Sequence, residues 1–341
     1  MGGARIGFLA GSGSPDTGAR FGRDRAMVRA LERQGNDVVW LRAASVPSNA
    51  LGRALTLAMC RLCGAVPAAR GLRPDWIISS HATDELTGVA AGVPVVYCAD
   101  CNAEPAEAPA VRQASLCAFP SRVAAESAIR SGGVDPARVS VIPFGAGIDV
   151  PERGALPEKR LGGPLHLLFI AADWEREDGP VAFDTLLRLR ELGREATLIV
   201  VGCVPPASCR NAALTVFPFL DRRCIEGQLF FEELYLRSHL LLMPGRSPAF
   251  GCALNEANGF GVPVVVADRG SLADAVHEGV NGLRLPLTAQ GVEHAAAIAR
   301  LWADPARYAS LSHSSRETYE RHGNWDAWAA ELCRRVAETL Q

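Results

Sequence analysis

Residues 243–268 decide the fold, and they read MPGRSPAFGCALNEANGFGVPVVVAD. An apolar run ends at Pro244, a loop of small residues follows, and a helix is predicted to begin near Phe250. Glycine and proline at 261–263 end that helix, and a valine-rich strand comes next. The order strand, loop, helix, strand is typical of a parallel α/β sheet. The free amides at the start of such a helix can meet a phosphate.

The same alternation extends outward over the whole chain. Short runs rich in Val, Ile and Leu alternate with helix-length segments, and they lack the polar alternation of half-exposed strands. Such runs are expected for parallel strands that helices cover on both faces. The predicted strands are 5–10, 37–41, 75–79, 94–98, 117–119, 139–142, 165–171, 196–202, 214–217, 239–243, 263–267 and 282–285.

These strands fall into two groups of six, separated by a Gly- and Pro-rich stretch at 145–164 that we interpret as a linker. The predicted fold class is therefore α/β, with two Rossmann-like, doubly wound domains. We predict an N-terminal domain over 1–150, a C-terminal domain over 151–310, and a helical segment over 311–341 that packs across both. Ligands bind at the carboxyl ends of strands in such sheets, so a cleft between facing domains is the expected site.

Charge excludes nucleic acid as the main partner. The 341 residues carry 35 basic against 37 acidic side chains, and neither half has the basic excess that a phosphate backbone demands. A hydrophobic fraction of 48% is typical of a globular chain with a full core. Of the basic residues, 34 are arginine, and the only lysine is Lys159. Any site that needs a lysine therefore has one candidate.

No targeting or membrane-spanning segment is predicted. Residues 1–5 lead straight into the first strand, and the most apolar helix-like run, 51–69, is interrupted by Arg53, Arg61 and Pro67. Ten cysteines without a signal sequence indicate reduced thiols. We therefore expect a cytoplasmic protein, and peripheral contact with a membrane is left open.

Two C-x2-C pairs leave a structural zinc site as an alternative, namely Cys60 with Cys63 and Cys98 with Cys101. The first pair lies in a helix-like run, and the second ends a strand. Neither has the glycine-rich turn that is usual for zinc. We interpret these cysteines as small buried side chains and predict no metal site.

A glycine-rich turn at 11–18 connects the first strand to a helix-like segment at 20–34. Its amides could approach an anion, helped by the helix dipole. The spacing fits neither a dinucleotide fingerprint nor a Walker loop, so a plain strand–helix turn remains an alternative. Four arginines lie at the start of this helix, namely Arg20, Arg23, Arg25 and Arg29. We interpret them as a solvent-exposed face of the helix, and binding of an acidic acceptor is the alternative.

Residues 243–286 resemble the donor-binding signature of retaining glycosyltransferases of family four, which have the GT-B fold. Three further segments agree with the resemblance, namely 167–179, 118–145 and the opening 11–39. It implies two Rossmann-like domains that face a cleft, with a C-terminal helix crossing between them. The implied activity is transfer of a sugar from a nucleotide-diphosphate sugar to a hydroxyl acceptor. No cofactor beyond the donor is implied.

The resemblance also implies roles for individual residues. Glu256 matches the second glutamate of the family's E-x7-E motif, which usually binds the nucleotide ribose. Arg176 falls in the turn that contacts the diphosphate. His81, after the third predicted strand, would lie beside the acceptor, although a histidine at a strand end is more often structural. The other implied donor contacts are Gly13, Ser14, Ala249, Phe250 and Gly251.

Two positions depart from the family pattern. The first glutamate of E-x7-E is replaced by Pro248, which has no side-chain acceptor. The family's lysine after the first strand of the C-terminal domain is replaced by Glu177, so Arg176 would have to grip the diphosphate. A non-catalytic subunit that binds a sugar nucleotide is therefore an alternative. A sugar-nucleotide epimerase, with His81 and Asp100 as its acid and base, is a weaker one.

Overall fold

The computed structural model describes residues 3–10, 18–41, 74–80, 92–98, 111–112, 114–157, 159, 161–222, 224–245 and 252–340. The chain forms two compact units. Unit 1 combines Met1–Phe144 with Trp325–Gln341, and unit 2 is Gly145–Asn324. The units thus divide the chain at 144/145 and at 324/325, where the sequence predicted 150/151 and 310/311.

Each unit is built on a parallel sheet with six described strands. Unit 1 contains β1 Arg5–Ala10, β2 Asp37–Leu41, β3 Trp76–Ser80, β4 Val95–Cys98, β5 Leu116–Phe119 and β6 Val139–Val141, in the order β2-β1-β3-β4-β5-β6. Unit 2 contains β7 Leu165–Ile170, β8 Ala196–Val201, β9 Leu214–Phe217, β10 Leu240–Met243, β11 Val264–Ala267 and β12 Gly282–Leu285, in the order β12-β11-β10-β7-β8-β9.

Helices connect and cover these strands. In the described part of the chain the α-helices are α1 Gly18–Arg33, α2 Arg122–Gly132, α3 Gly179–Glu191, α4 Ile225–Arg237, α5 Cys252–Gly259, α6 Gly270–Ala275, α7 Gly291–Trp302, α8 Pro305–His322 and α9 Trp325–Thr339. Among the described residues, no helix is long and apolar enough to cross a membrane.

The strand pattern read from the sequence is confirmed. Each of the twelve predicted strands agrees with an observed strand to within one residue at either end. The reason is visible in β11, whose Val-Val-Val-Ala run is buried along its whole length between helical layers. A strand covered on both faces has no polar side to interrupt its apolar run. The predicted α/β class with two doubly wound sheets is therefore correct.

The sheet of unit 2 changes its winding direction between β7 and β10. From β7 the chain adds β8 and then β9 on one side, and it then returns to place β10 on the other side of β7. Beyond β10 it continues outward to β11 and β12. The helices that follow β7 and β10 thus diverge to opposite faces, which leaves a crevice at the carboxyl ends of these two strands.

The C-terminal helices are divided between the units. Helix α8 belongs to unit 2 and α9 to unit 1, where α9 lies against α1. An ion pair joins Arg33 of α1 to Asp326 of α9, with 2.6 Å between Nε and Oδ1. The Trp325 ring packs on Phe144 with 5.7 Å between ring centroids. The end of the chain therefore completes the same unit as its beginning.

Lys159 holds the end of helix α4. Its Nζ donates to the carbonyl oxygens of Tyr235, Leu236 and Ser238 at 2.7, 3.0 and 2.9 Å. These carbonyls lie at the carboxyl end of the helix, where the last acceptors lack intrahelical partners and the dipole favours a cation. The lysine that the sequence places in the linker thus fixes this segment to α4.

Burial lowers the pKa of Lys159 to about 7, so the amine is fully charged only below that pH. We predict that at pH 6 Lys159→Met lowers the free energy of unfolding by about 2 kcal/mol, because the helix end loses the donor to three carbonyls. Urea unfolding measures the change. Arg237→Met is the matched control, since this arginine lies on the same helix end but forms only an exposed pair with Glu233. The control should change stability by less than about 0.5 kcal/mol. Equal effects of the two substitutions would contradict the capping role.

Candidate functional site

A cavity of about 180 Å³ lies at the crevice between β7 and β10. Its walls come from the ends of these two strands, the turn after β7, and helices α5 and α6. The lining residues are Phe169, Ile170, Ala171, Ala172, Glu177, Leu242, Met243, Gly245, Ala253 and Leu272. The lining is mostly apolar, and its charged member is Glu177. A small apolar cavity at the carboxyl edge of a parallel sheet is where a ligand is expected.

The loops that follow β7 and β10 meet at this cavity. A Cβ added to Gly245 would lie 2.6 Å from the backbone oxygen of Glu177, which is closer than real Cβ atoms approach. Only glycine therefore allows the two loops to touch. This contact brings the residues of the turn after β7 next to the segment that leads to α5.

The turn at 173–179 uses its backbone amides internally. Arg176 N donates to Asp173 Oδ1 at 2.8 Å, and Gly179 N donates to the Trp174 carbonyl at 2.7 Å. Asp178, with φ at 54°, is the one non-glycine residue with a left-handed backbone in the described ranges. The amides of Glu177 and Asp178 donate within the turn as well, to the carbonyls of Asp173 and Glu175. The four amides of 176–179 are therefore occupied and are not available to an anion.

Arg176 is the cation that the turn presents. Its side chain is 67% exposed, and Nη2 lies 3.5 Å from Glu177 Oε1. An exposed pair of this kind contributes little free energy and is readily exchanged for another partner. The guanidinium can therefore leave Glu177 for a phosphate at little cost. Glu177 itself lines the cavity, so its negative charge stays close to any diphosphate bound there.

Glu256 on α5 is fully buried and hydrogen-bonded on both carboxylate oxygens. Oε1 accepts from Arg222 Nη1 at 2.7 Å and from the Gly147 amide at 3.1 Å. Oε2 accepts from the Tyr235 hydroxyl at 2.7 Å. A carboxylate with no exposed surface needs such partners, because burying an unpaired charge is costly. We call these four residues the Glu256 cluster.

The surroundings of the cluster favour charge on the Arg222 guanidinium and a proton on the Tyr235 phenol. Burial pulls the pKa of Arg222 down, but Glu256 more than offsets this, and the pKa is raised above its usual value. Burial, together with the carboxylate, also raises the pKa of Tyr235 well above its usual range. Tyr235 therefore remains a hydrogen-bond donor at any ordinary pH. The Arg222 guanidinium lies over the Phe231 ring, 3.8 Å from its centroid.

Gly147 brings the connecting segment into the cluster. A Cβ at this position would lie 2.7 Å from Glu256 Oε1, so a larger residue would push the carboxylate away. Four separate parts of unit 2 thus meet at one carboxylate, namely the segment after 145, the loop after β9, α4 and α5. Sequence reasoning singled out Glu256 but missed Arg222 and Tyr235. No spacing rule joins residues that approach only when the sheet forms.

The other predicted site residues lie outside the described residues. They are Gly13, Ser14, His81, Ala249, Phe250 and Gly251, together with Asp100 and Pro248 of the alternatives. Of the two C-x2-C pairs, only Cys98 is described. It is a buried residue at the end of β4, and burial raises the pKa of its thiol.

A larger cavity, of about 330 Å³, lies at the opposite edge of the same sheet. It is lined by residues that precede β7 and β8, such as Gly163 and Arg194, and by Trp302 and Tyr308. By its volume alone, this larger cavity would be the preferred ligand site. Ligands of open parallel sheets bind at the carboxyl ends of strands, however, and the amino edge lacks both the winding change and the Glu256 cluster. The smaller cavity is therefore the candidate site.

Comparison with known proteins connects this geometry to a family. Residues 165–304 match the family model described as glycosyl transferases group 1. The chain is 30% identical over 238 residues to a D-inositol 3-phosphate glycosyltransferase of Xylanimonas cellulosilytica, covering 62% of this chain and 54% of the relative. It is 29% identical over 188 residues to a 2-deoxystreptamine glucosyltransferase of Streptomyces kanamyceticus, covering 54% of this chain and 47% of the relative. The chain thus spans about half the length of these relatives.

A solved structure shows the same fold. The crystal structure of HepE from Anabaena in complex with UDP-glucose superposes with a TM-score of 0.65 at 16% sequence identity. The match covers 98% of this chain and all of the other. The GT-B fold expected from the sequence is therefore confirmed. At this identity the likeness concerns the fold alone.

We predict that Tyr235→Phe lowers the free energy of unfolding by about 2 kcal/mol, because a buried carboxylate oxygen loses its donor. Tyr308→Phe is the matched control. Tyr308 is equally buried, but its hydroxyl donates to an uncharged carbonyl, that of His239, at 2.9 Å. Its loss should cost about 1 kcal/mol. If urea unfolding shows Tyr235→Phe to be no more costly than the control, Glu256 is not a buried carboxylate that depends on Tyr235.

Proposed function

The chain belongs to the glycosyl transferases group 1 family, and on that premise we propose that it is a retaining glycosyltransferase. It moves a hexose-type sugar from a nucleotide-diphosphate sugar to a hydroxyl acceptor. The donor is the only small molecule that the reaction needs besides the acceptor. A cytoplasmic location, expected from the cysteine content, remains a prediction.

One observation carries this proposal. Every residue that lines the cavity between β7 and β10 falls inside 165–304, the part of the chain that matches the family model. The cavity is also at the sheet edge where open α/β sheets bind nucleotides. Arg176, Arg222 and Glu256 lie in the turn, loop and helix that follow β7, β9 and β10 at this same edge. A UDP-glucose complex of a protein with the same fold supports the donor class.

The proposed reaction breaks the bond between the anomeric carbon and the leaving phosphate oxygen. The acceptor oxygen forms the new bond to that carbon on the same face of the sugar, and its proton passes to the leaving phosphate. Negative charge collects on the diphosphate as the bond breaks, so cations and N–H donors that face it lower the barrier. Arg176 is the side chain that we propose for this role. The amides of 249–251 and of the Gly13 loop are proposed to assist.

Glu256 is proposed to accept a hydrogen bond from the donor's ribose. A carboxylate offers about four lone-pair positions. Three are occupied by Arg222, Gly147 and Tyr235, which leaves one on Oε2. The cluster therefore fixes the carboxylate in one orientation and leaves one acceptor position unused. Because Glu256 has no exposed surface, the proposed ribose contact requires a neighbouring side chain to move aside when the donor binds. His81 stays the proposed acceptor-side residue, in the other unit.

We propose a cyclitol as the acceptor. The two sequence relatives are named for inositol phosphate and for 2-deoxystreptamine, which are both six-membered carbocycles that carry several hydroxyl groups. Product analysis with myo-inositol, an inositol phosphate and 2-deoxystreptamine, using one donor throughout, tests this assignment. Transfer to a sugar or lipid acceptor in preference to all three would contradict it.

Glu177 favours a second candidate, a subunit that binds a sugar nucleotide without transferring the sugar. A carboxylate that lines the cavity repels the charge that the transition state must accumulate. Binding and turnover separate the two candidates. Calorimetry with UDP-, GDP-, ADP- and TDP-sugars measures the first, and nucleotide release measures the second. Binding without any release across the acceptors would favour the subunit.

For the enzyme, we predict that Arg176→Ala and Glu256→Gln each reduce transfer or donor hydrolysis at least tenfold, or by ~1.4 kcal/mol or more. Glu256→Gln keeps the size of the side chain and so limits the damage to the fold. Arg237→Ala is the matched control, because this arginine is also exposed and paired with a neighbouring glutamate, but belongs to neither the turn after β7 nor the Glu256 cluster. Its activity should equal that of the wild type.

The site assignment fails if both variants keep wild-type rates while they remain folded. Circular dichroism and thermal unfolding establish the folded state. A loss in Arg237→Ala equal to that in Arg176→Ala would instead show that removal of any surface charge disturbs the assay.

A further inference from the structure

Of the three side chains in the Glu256 cluster, Arg222 is the one with exposed surface. Its side chain is 28% exposed, whereas Glu256 and Tyr235 have none. Arg222 is therefore the side chain of the cluster that a solute can reach without any rearrangement.

Arg222 is held in one position from several sides. Nη1 is bonded to Glu256, the guanidinium plane lies over Phe231, and the Arg222 carbonyl accepts from Gln228 Nε2 at 3.1 Å. An arginine fixed in this way has already lost much of its side-chain entropy. It can therefore bind a ligand more tightly than a free surface arginine, because less ordering remains to be done.

The position of Arg222 in the fold points to the same ligand edge. It lies between Phe217, the last residue of β9, and Ile225, the first residue of α4. This loop follows a strand at its carboxyl end, as do the turn at 173–179 after β7 and Gly245 after β10. All three loops thus belong to one edge of one parallel sheet.

We propose that Arg222 is a further donor-binding residue, which contacts oxygen acceptors of the nucleoside part of a nucleoside diphosphate, and that Glu256 fixes its guanidinium for that contact. The inference rests on the proposed function, because it concerns the same donor. It adds that the arginine shares Glu256 with the ribose, and hence lies beside the nucleoside. Arg176, in the turn after β7, is left to the diphosphate.

The test uses Arg222→Lys and UDP. Lysine keeps the charge that Glu256 needs, but it has neither the planar fork nor the stacking on Phe231. We expect the dissociation constant of UDP, measured by calorimetry, to rise at least tenfold. Affinity for inorganic pyrophosphate, which has no nucleoside, should change less than twofold. Arg190→Lys is the matched control, since Arg190 donates to the Ala196 carbonyl at the amino edge, and it should bind UDP like the wild type.

A second variant covers the case in which Arg222→Lys does not fold. In Arg222→Met combined with Glu256→Gln, both buried charges are removed together, so no unpaired charge remains. This double variant should bind UDP more weakly than Glu256→Gln alone, again at least tenfold, with pyrophosphate binding unchanged. Such a difference assigns binding to Arg222 itself, apart from its partner.

The outcomes distinguish failure of the role proposed for Arg222 from failure of the proposed function. Unchanged UDP affinity in folded Arg222→Lys, or equal loss of UDP and pyrophosphate binding, overturns the role of Arg222 and leaves the proposed function standing. If the wild type binds GDP, ADP or TDP in place of UDP, that nucleotide becomes the probe with the same expectations. If the wild type binds none of the four, the proposed function fails and the inference fails with it.

Discussion

The buried carboxylate of Glu256 is the constraint on which the candidate site depends. It has no exposed surface, and its three partners come from the start of unit 2, the loop after β9, and helix α4. A charge in this position is tolerated only while all of its partners are in place. Lys159 reinforces the arrangement, because it binds the carbonyl of Tyr235 while the hydroxyl of the same tyrosine binds Glu256. Tyr235 thus links the connecting segment to α4 through its backbone carbonyl and α4 to α5 through its hydroxyl.

Helix α5, which carries Glu256, also lines the crevice that the architecture of the sheet creates. The winding change between β7 and β10 separates the helices that follow them, and contact between Gly245 and Glu177 closes the loops around a small apolar cavity. Because the amides of residues 176–179 are satisfied internally, the Arg176 side chain is the donor that this turn offers to a charge. Arg176 is exposed and free to change partners, whereas Arg222 is fixed. The two arginines therefore suit different parts of a donor, the diphosphate and the nucleoside.

Apolar runs predicted the strands well. A strand that helices cover on both faces needs apolar residues along its whole length, as in β11, so its burial can be read from its own sequence. The region of the site was predictable for a related reason, since the glycines and prolines around α5 mark where the chain turns. Arg222 and Tyr235 were not predictable, because their contacts with Glu256 depend on pairing of distant strands. The role of Lys159 was missed for the same reason. The sequence places Lys159 in the linker, but its contact with the carboxyl end of α4 forms only when the chain folds.

The central claim is that a nucleoside diphosphate binds at the carboxyl edge of the unit 2 sheet. Hydrogen–deuterium exchange of the full chain, with and without saturating UDP, tests this most directly. The account predicts slower exchange in peptides that cover 171–179, 218–222 and 252–258, with no change at 161–163 and 193–195 at the amino edge. Protection confined to the amino edge, or bound UDP that leaves the three carboxyl-edge peptides unchanged, would contradict it.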